Sequence, residues 1–444
     1  MTSKLPRSTH QFCLAIIVLI LVLVPFHATL TVWLSSIVGH YTALRLWKEA
    51  LLLVLSTAIV WLVIRDKTLR LRLRENHFYR TTFYLAGTYV VLSIMLGGLA
   101  LLRHDVTAKA LGYGLISNLR FLLFFVLCLV IGTYFGPWLK HNWQKVVLWP
   151  AVLVIGFGLL QLFVLPVDFL KHLGYNTGTI TPYIAVDQKV EYARVQSTLR
   201  GPNPLGAYLV LIVPVLVGLF VGRRSRYVRI GVMLLGAVIV LFGTYSRSAW
   251  IGTIIATLIV IWALIRSVRL RKILLISSVS LCIIGAGITY GLRNNDFVQN
   301  TLFHTDETSQ SASSSNEDRA NAITEGIKDI VHQPFGKGTG TAGPASVYNN
   351  NNVRIAENYF IQIGQEVGVI GLGLFVAICA VVGNQLWRVK NGDMLALALF
   401  ASLIGLSAVN LLSHAWADDT ISYLWWGLAG LTIGSTVIKA KSRT

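Results

Sequence analysis

The side chains best suited to chemistry lie in four short stretches of this 444-residue chain. Arg194 and Arg200 bracket the start of Arg-Val-Gln-Ser-Thr-Leu-Arg-Gly-Pro-Asn-Pro-Leu-Gly at 194–206, which also carries Asn203. Arg247 stands in Thr-Tyr-Ser-Arg-Ser-Ala-Trp at 244–250, and Arg319 begins a segment with Ala322, Ile323, Ile327, Ile330 and Val331 at helical spacing. Glu357 precedes Asn358, Gln362, Gln365 and Glu366, which fall at i, i+4, i+7 and i+8 and so share one helical stripe. Guanidinium groups bind phosphate oxygens in a two-pronged way. A carboxylate beside a Gly-rich loop at a cavity mouth has the position a general base needs. Any one of these arginines is equally well explained as snorkelling to lipid headgroups; the set of them around one carboxylate is not. Gln362 and Gln365 read as amides that glue helices together.

These residues must be positioned by helices in a bilayer. The chain is 55% apolar and only 13% charged, with a mean hydropathy of +0.65, which excludes a soluble globular enzyme of this size. A spanning helix needs roughly 20 apolar residues. Twelve candidates follow, near 12–27, 47–64, 81–102, 113–135, 146–166, 204–222, 230–245, 248–265, 273–290, 356–384, 394–412 and 421–438. The fold class is therefore an all-α, polytopic membrane bundle of about 12 helices, one integral membrane domain over 1–444 with a large extracytoplasmic loop carrying short helices.

The net charge of +19 raises the idea of nucleic acid, but its distribution does not. With a cytoplasmic amino terminus, the inner segments hold 23 of the 38 Lys and Arg and only three acids, Asp66, Glu75 and Asp393. The basic excess is topology of the positive-inside kind, with both termini cytoplasmic and no nucleic-acid partner. The bulky Phe26 stands where signal cleavage needs a small residue, so the first helix is read as retained. Cys13, Cys128, Cys282 and Cys379 all lie in apolar spans, which implies neither a disulfide framework nor a thiolate metal site.

Two outer connections are long, 167–203 and 291–355, and the second is expected to cap the active site. It contains a Ser-rich acidic stretch from Asp306 to Asp318, then a helix start at Ser315-Asn316-Glu317-Asp318 that Pro334 would end. Gly336, Gly338, Gly340 and Gly343 describe an irregular lead into the tenth span, where Gly364, Gly368 and Gly371 allow close helix packing. Gly336-Lys337-Gly338-Thr339-Gly340 lacks the spacing of a nucleotide loop. Asp418-Asp419 with His414 is a poor ligand set and reads as solvated loop. Arg120 is placed at the interface, with its span beginning near Phe121; the other choice is a buried partner such as Glu366.

The series Arg194…Pro202-Asn203-Pro204-Leu205-Gly206, Tyr245-Ser246-Arg247-Ser248-Ala249-Trp250, Arg319…Pro334-Phe335-Gly336-Lys337-Gly338-Thr339-Gly340, and Glu357-Asn358-Tyr359 with Glu366-Val367-Gly368-Val369-Ile370-Gly371 resembles the O-antigen ligase and polymerase superfamily of bacterial membrane glycosyltransferases. The resemblance runs from about 190 to 375. It departs at Glu357, where the ligases typically carry His. It implies a polyprenyl-diphosphate-linked glycan donor (undecaprenyl diphosphate as carrier), a saccharide or glycolipid acceptor, and a site at the outer face of the bacterial cytoplasmic membrane. Arg194 and Arg247 would then hold the diphosphate with Arg319 in support, and Arg200 and Asn203 would bind substrate. Glu357 would be the base, oriented by Asn358, in an inverting transfer. Because guanidinium groups can replace a divalent ion, no metal or cofactor is expected. The rivals are a transporter or flippase of lipid-linked saccharides, which predicts discontinuous helices near the midplane, and a noncatalytic scaffold of cell-wall polymer assembly.

Overall fold

The computed structural model describes residues 7–186, 189–222, 227–292, 295, 315–349 and 353–437. The expectations for 306–314, for Arg223, Arg224 and Arg226, and for the basic carboxyl terminus from Lys439 lie outside the described residues. So does the side chain of Cys282.

The protein is an all-α bundle. Its helices are α1 (Arg7–Leu23), α2 (His27–Val38), α3 (Trp47–Arg65), α4 (His77–Leu102), α5 (Ala108–Gly132), α6 (Gly136–Phe163), α7 (Pro202–Gly222), α8 (Tyr227–Gly243), α9 (Arg247–Leu264), α10 (Val268–Gly291), α11 (Ser315–His332), α12 (Tyr359–Val389), α13 (Met394–Asn410) and α14 (Asp419–Val437). Among the described residues, nine helices are long and apolar enough to cross a membrane, α1 and α2 running together from Thr9 to Val38 as the first of them. The shorter apolar α8 and α13 and the 19-residue α14 lie where the other three spans were expected. The first extends past its expected end at 27 because Val24–Phe26 continues as a single 3-10 turn rather than a loop.

The helices start where the sequence offers caps. The Asn358 side chain accepts the N–H groups of Phe360 and Ile361, both at 3.0 Å, and so fixes the start of α12. Asp393 does the same for α13 through Ala396 N at 3.1 Å. The core is continuous from α5 through α7, α13 and α14, with Trp416, Trp425 and Trp426 fully buried in mutual contact. In the first long connection, Ile184–Ala185 pairs antiparallel with Ala193–Arg194, Ile184 opposite Arg194.

The tenth span differs from expectation. α12 is broken at Gly368, whose φ of +73° leaves the helical region. The segment after α11 fills the break. Lys337 N and Gly338 N donate to Gln365 O and Glu366 O at 2.8 and 2.9 Å, and Val369 N donates to Pro334 O at 2.8 Å. The open carbonyls of the upper half-helix and an open N–H of the lower half are thereby satisfied by one stretch of backbone, as they must be at this depth. From Gly338 to Gly343 the Gly-rich segment is buried against α4, α5 and α12. Thr339 is fully buried and its hydroxyl donates to Ser93 O of α4 at 3.0 Å, while a side chain at Gly340 would collide with the α5 backbone at Ala110. Glu366, also fully buried, holds the turn by accepting Gly340 N at 2.8 Å and Asn118 Nδ2 at 2.6 Å.

Arg120 is corrected as well. α5 is continuous from Ala108, so Arg120 lies inside it, and its partners are Glu49 at 3.0 Å and Asp419. Lys48 joins them, 3.2 Å from Glu49 and 2.8 Å from Asp419. The set carries two positive and two negative charges from α3, α5 and α14, closed on itself, with His27 of α2 at 3.2 Å from Asp419. Asp419 is thus no solvated loop residue. Asp419 was misjudged because its partners lie hundreds of residues away in sequence.

Candidate active site

Arg194 is the hub. It ends the second strand of the hairpin, where Val195 N donates to Gly243 O at 2.9 Å. Its Nε donates to Thr244 O at 2.8 Å and one terminal nitrogen donates to Asn203 Oδ1 at 2.6 Å. The side chain therefore ties the first long connection to the end of α8 and the start of α7, and Asn203 is its direct partner. Burial, reinforced by the charges of Arg319 and Arg247 and opposed by Glu357, pulls the Arg194 guanidinium down to about 10. It stays charged at neutral pH, and those causes show that Arg247, Arg319 and Glu357 all lie within its electrostatic reach.

Three separate stretches deliver these neighbours. Arg247 is the first residue of α9, three residues after Thr244. Arg319 lies in the first turns of α11 and is ion-paired with Glu357. α11 is docked on the outer half of α12, with Ile330 against Gly364 and Ile361 against Gly326. Asp329 locks this docking, accepting Lys337 Nζ and Gln365 Nε2 at 2.9 Å each, with Arg354 at 3.5 Å. Burial alone pushes the Asp329 carboxyl up, but these partners hold it below its usual value.

Asn358 does not touch Glu357 through its side chain. It is occupied by the α12 cap and by a bond to Leu411 O at 2.9 Å, so it acts on Glu357 through the backbone. Glu357 itself has φ +48°, and Tyr245, two residues before Arg247, has φ +49°. Non-glycine residues in this left-handed region store strain, and such strain clusters at functional sites. Two of these flank the arginine cluster.

Two concavities meet at Arg194. One, of about 570 Å³, is bordered by Leu162, Phe163, Val167, Val238 and Phe242 and is largely apolar on that side. The other, of about 290 Å³, is of mixed lining and carries Arg194, Arg200, Asn203, His414 and Asp418. Arg200 is exposed and stands apart from the Glu357 pair, within reach of Tyr41 and Tyr113 instead. Arg194, Arg247, Arg319 and Glu357 thus lie near one another, while Arg200 and Asn203 border the smaller cavity with Arg194.

Sequence reasoning missed that one edge of the half-buried His414 ring is sealed from solvent, and it missed the anchoring role of Glu366. The signal for the latter was present: a carboxylate at the buried end of the polar stripe needs donors, and the Gly-rich segment just upstream has free N–H groups.

The chain matches no curated protein. Residues 232–376 match the model of the O-antigen ligase family, a stretch that runs from α8 to the middle of α12 and includes Arg247, Arg319 and Glu357 but not Arg194; the match supports the O-antigen ligase and polymerase superfamily.

Proposed function

We propose that the protein is a membrane glycosyltransferase that moves a glycan from a polyprenyl diphosphate carrier to the hydroxyl of an acceptor sugar at the outer face of the bacterial cytoplasmic membrane. The observation that carries this reading is the grouping of Arg194 with Arg247, Arg319 and the Arg319–Glu357 pair, Arg194 itself bordering a groove with an apolar wall of Leu162, Phe163, Val238 and Phe242. A lipid-linked diphosphate has that duality: its isoprenoid chain suits the groove, its charge the guanidinium groups.

In the reaction, an acceptor oxygen attacks the anomeric carbon. Glu357 takes the hydroxyl proton as the new C–O bond forms, and the bond to the diphosphate oxygen breaks on the opposite face, so configuration inverts. Arg194 and Arg247 stabilise the negative charge that grows on the departing lipid diphosphate, and Arg319 lends a third cation while holding the base. Fixed cations in a poorly solvated site act where charge develops, which is where most rate acceleration arises.

The broken α12 favours a second reading, a transporter of lipid-linked saccharides, since discontinuous helices mark transport sites. Here, however, the break is plugged by backbone rather than left open. Reconstituting the purified chain in liposomes with a lipid diphosphate glycan and no other enzyme separates the readings. Joined glycan with release of lipid diphosphate is the expected result. Movement of the lipid across the bilayer without joining would replace this reading with transport, and neither outcome would leave a scaffold.

A further inference from the structure

The smaller cavity beside Arg194 holds polar side chains for which the transfer chemistry above has no use. His414 and Asp418 reach it from the connection between α13 and α14, Ser117 and Tyr113 from α5. The connection is fixed at three points: Asn358 donates to Leu411 O at 2.9 Å, Trp416 N to Asn410 Oδ1 at 3.1 Å, and Arg120 to Ala417 O at 3.1 Å. The buried charge set therefore sits under this cavity and sets its floor.

Within that rigid frame His414 is an anomaly. Its Nε2 is shut off from solvent and has no hydrogen-bond partner. Burial pulls the ring down to about 4, so at neutral pH it is an uncharged imidazole with one donor and one acceptor nitrogen. The residue as a whole is only half-buried and borders the cavity, so the part of the ring away from the sealed Nε2 is what a ligand bearing hydroxyls meets. Asp418 adds an acceptor, Ser117 a hydroxyl oxygen whose proton is held by Gly114 O at 3.1 Å, and Tyr113 an aromatic ring. A carboxylate repels phosphate, so the part of the cavity bounded by Asp418 suits neutral hydroxyls rather than the anion at Arg194.

We propose that this cavity is a saccharide subsite in which His414 and Asp418 bind the hydroxyls of a neutral sugar ring. It rests on the transferase reading only for the origin of that ring, which is either the acceptor or the sugar next to the diphosphate of the donor.

The test uses the full chain in nanodiscs and saturation-transfer NMR with glucose, galactose, mannose, rhamnose and N-acetylglucosamine, each alone. At least one sugar is expected to receive saturation from the wild type. His414→Gln and Asp418→Asn are expected to weaken that sugar by roughly fivefold to tenfold, the scale of one lost hydrogen bond. The Asn replacement retains the Asp418 cap on Thr420 N at 2.9 Å, so the fold is preserved. Binding of sugar-free undecaprenyl diphosphate should be unchanged in both. Silence from all five sugars, or wild-type sugar affinity in both variants, overturns the subsite. Because the readout needs no turnover, sugar binding without any transfer counts against the transferase reading and not against the subsite. In a transfer assay, a raised KM for acceptor assigns the ring to the acceptor, and a raised KM for donor assigns it to the donor.

Discussion

Replacing Glu357 by Gln separates chemistry from stability in a way the geometry makes quantitative. The Glu357 and Arg319 side chains are 44% and 34% exposed, and an ion pair at that exposure contributes about 0–1 kcal/mol to folding. Gln keeps the shape and an acceptor oxygen, so the loss is at the lower end. At roughly 2–4 °C per kcal/mol for a large domain, the Tm should fall by less than about 3 °C. A general base contributes roughly 10²–10⁴ in rate, or about 3–5 kcal/mol at 1.36 kcal/mol per decade. Transfer by Glu357→Gln should therefore drop by about two to four decades in a protein that melts almost normally. Glu357→Gly sharpens the case. It also removes the side chain held at φ +48°, relieving strain of about 1 kcal/mol, so its Tm should not be lower than that of the Gln variant even as transfer vanishes. The assay pairs initial rates of lipid diphosphate release in nanodiscs with fluorescence-detected melting of the same samples. Residual transfer above a tenth of wild type, or a rate loss that merely tracks loss of folded protein, would refute the assignment.

Three further outcomes follow from the packing. Arg120→Met leaves Lys48 facing Glu49 and Asp419 alone, an uncompensated buried charge that should destabilise by about 3–5 kcal/mol, and adding Asp419→Asn should restore part of this; melting of the single and double variants in detergent checks it, and equal Tm values would contradict it. Gly368→Ala places a side chain at φ +73° against Pro334 O and Phe335 and should reduce the yield of monodisperse protein on size exclusion, where a wild-type profile would show that the break tolerates a side chain. Asp329→Asn loosens the α11 latch by about 1 kcal/mol after allowance for its partial exposure, so trypsin should cut after Arg319 or Lys328 about fivefold faster. The same latch should weaken as pH falls through the Asp329 value, because the paired carboxylate titrates below its usual range, and an acid-insensitive cleavage rate would count against it.

What the sequence disclosed was whatever is written locally. The spans follow from runs of apolar residues, and α11 follows from Ala322, Ile323, Ile327, Ile330 and Val331 at helical spacing. The arginines stood out because they oppose the charge bias of the other loops. The break at Gly368 was hidden because a glycine in an apolar run reads as a packing residue, and only Pro334 and the turn at 336–340 reveal that the helix can stop there. Arg120 was misplaced for a similar reason: Glu49 and Asp419 lie 71 and 299 residues away, beyond any periodic pattern. The loop around His414 is fixed by Asn358, Arg120 and Asn410, which bond Leu411 O, Ala417 O and Trp416 N, and no local pattern announces those contacts.

The plugged gap in α12 also constrains biogenesis. The ribosome makes residues 334–340 before it makes the helix they complete, so α12 reaches the lipid phase with its carbonyls at 365 and 366 and its amide at 369 still unmet. Translocon delivery alone therefore cannot finish this span; the preceding turn has to fold back between α4, α5 and α12 afterwards, which makes docking of that turn a late checkpoint in maturation.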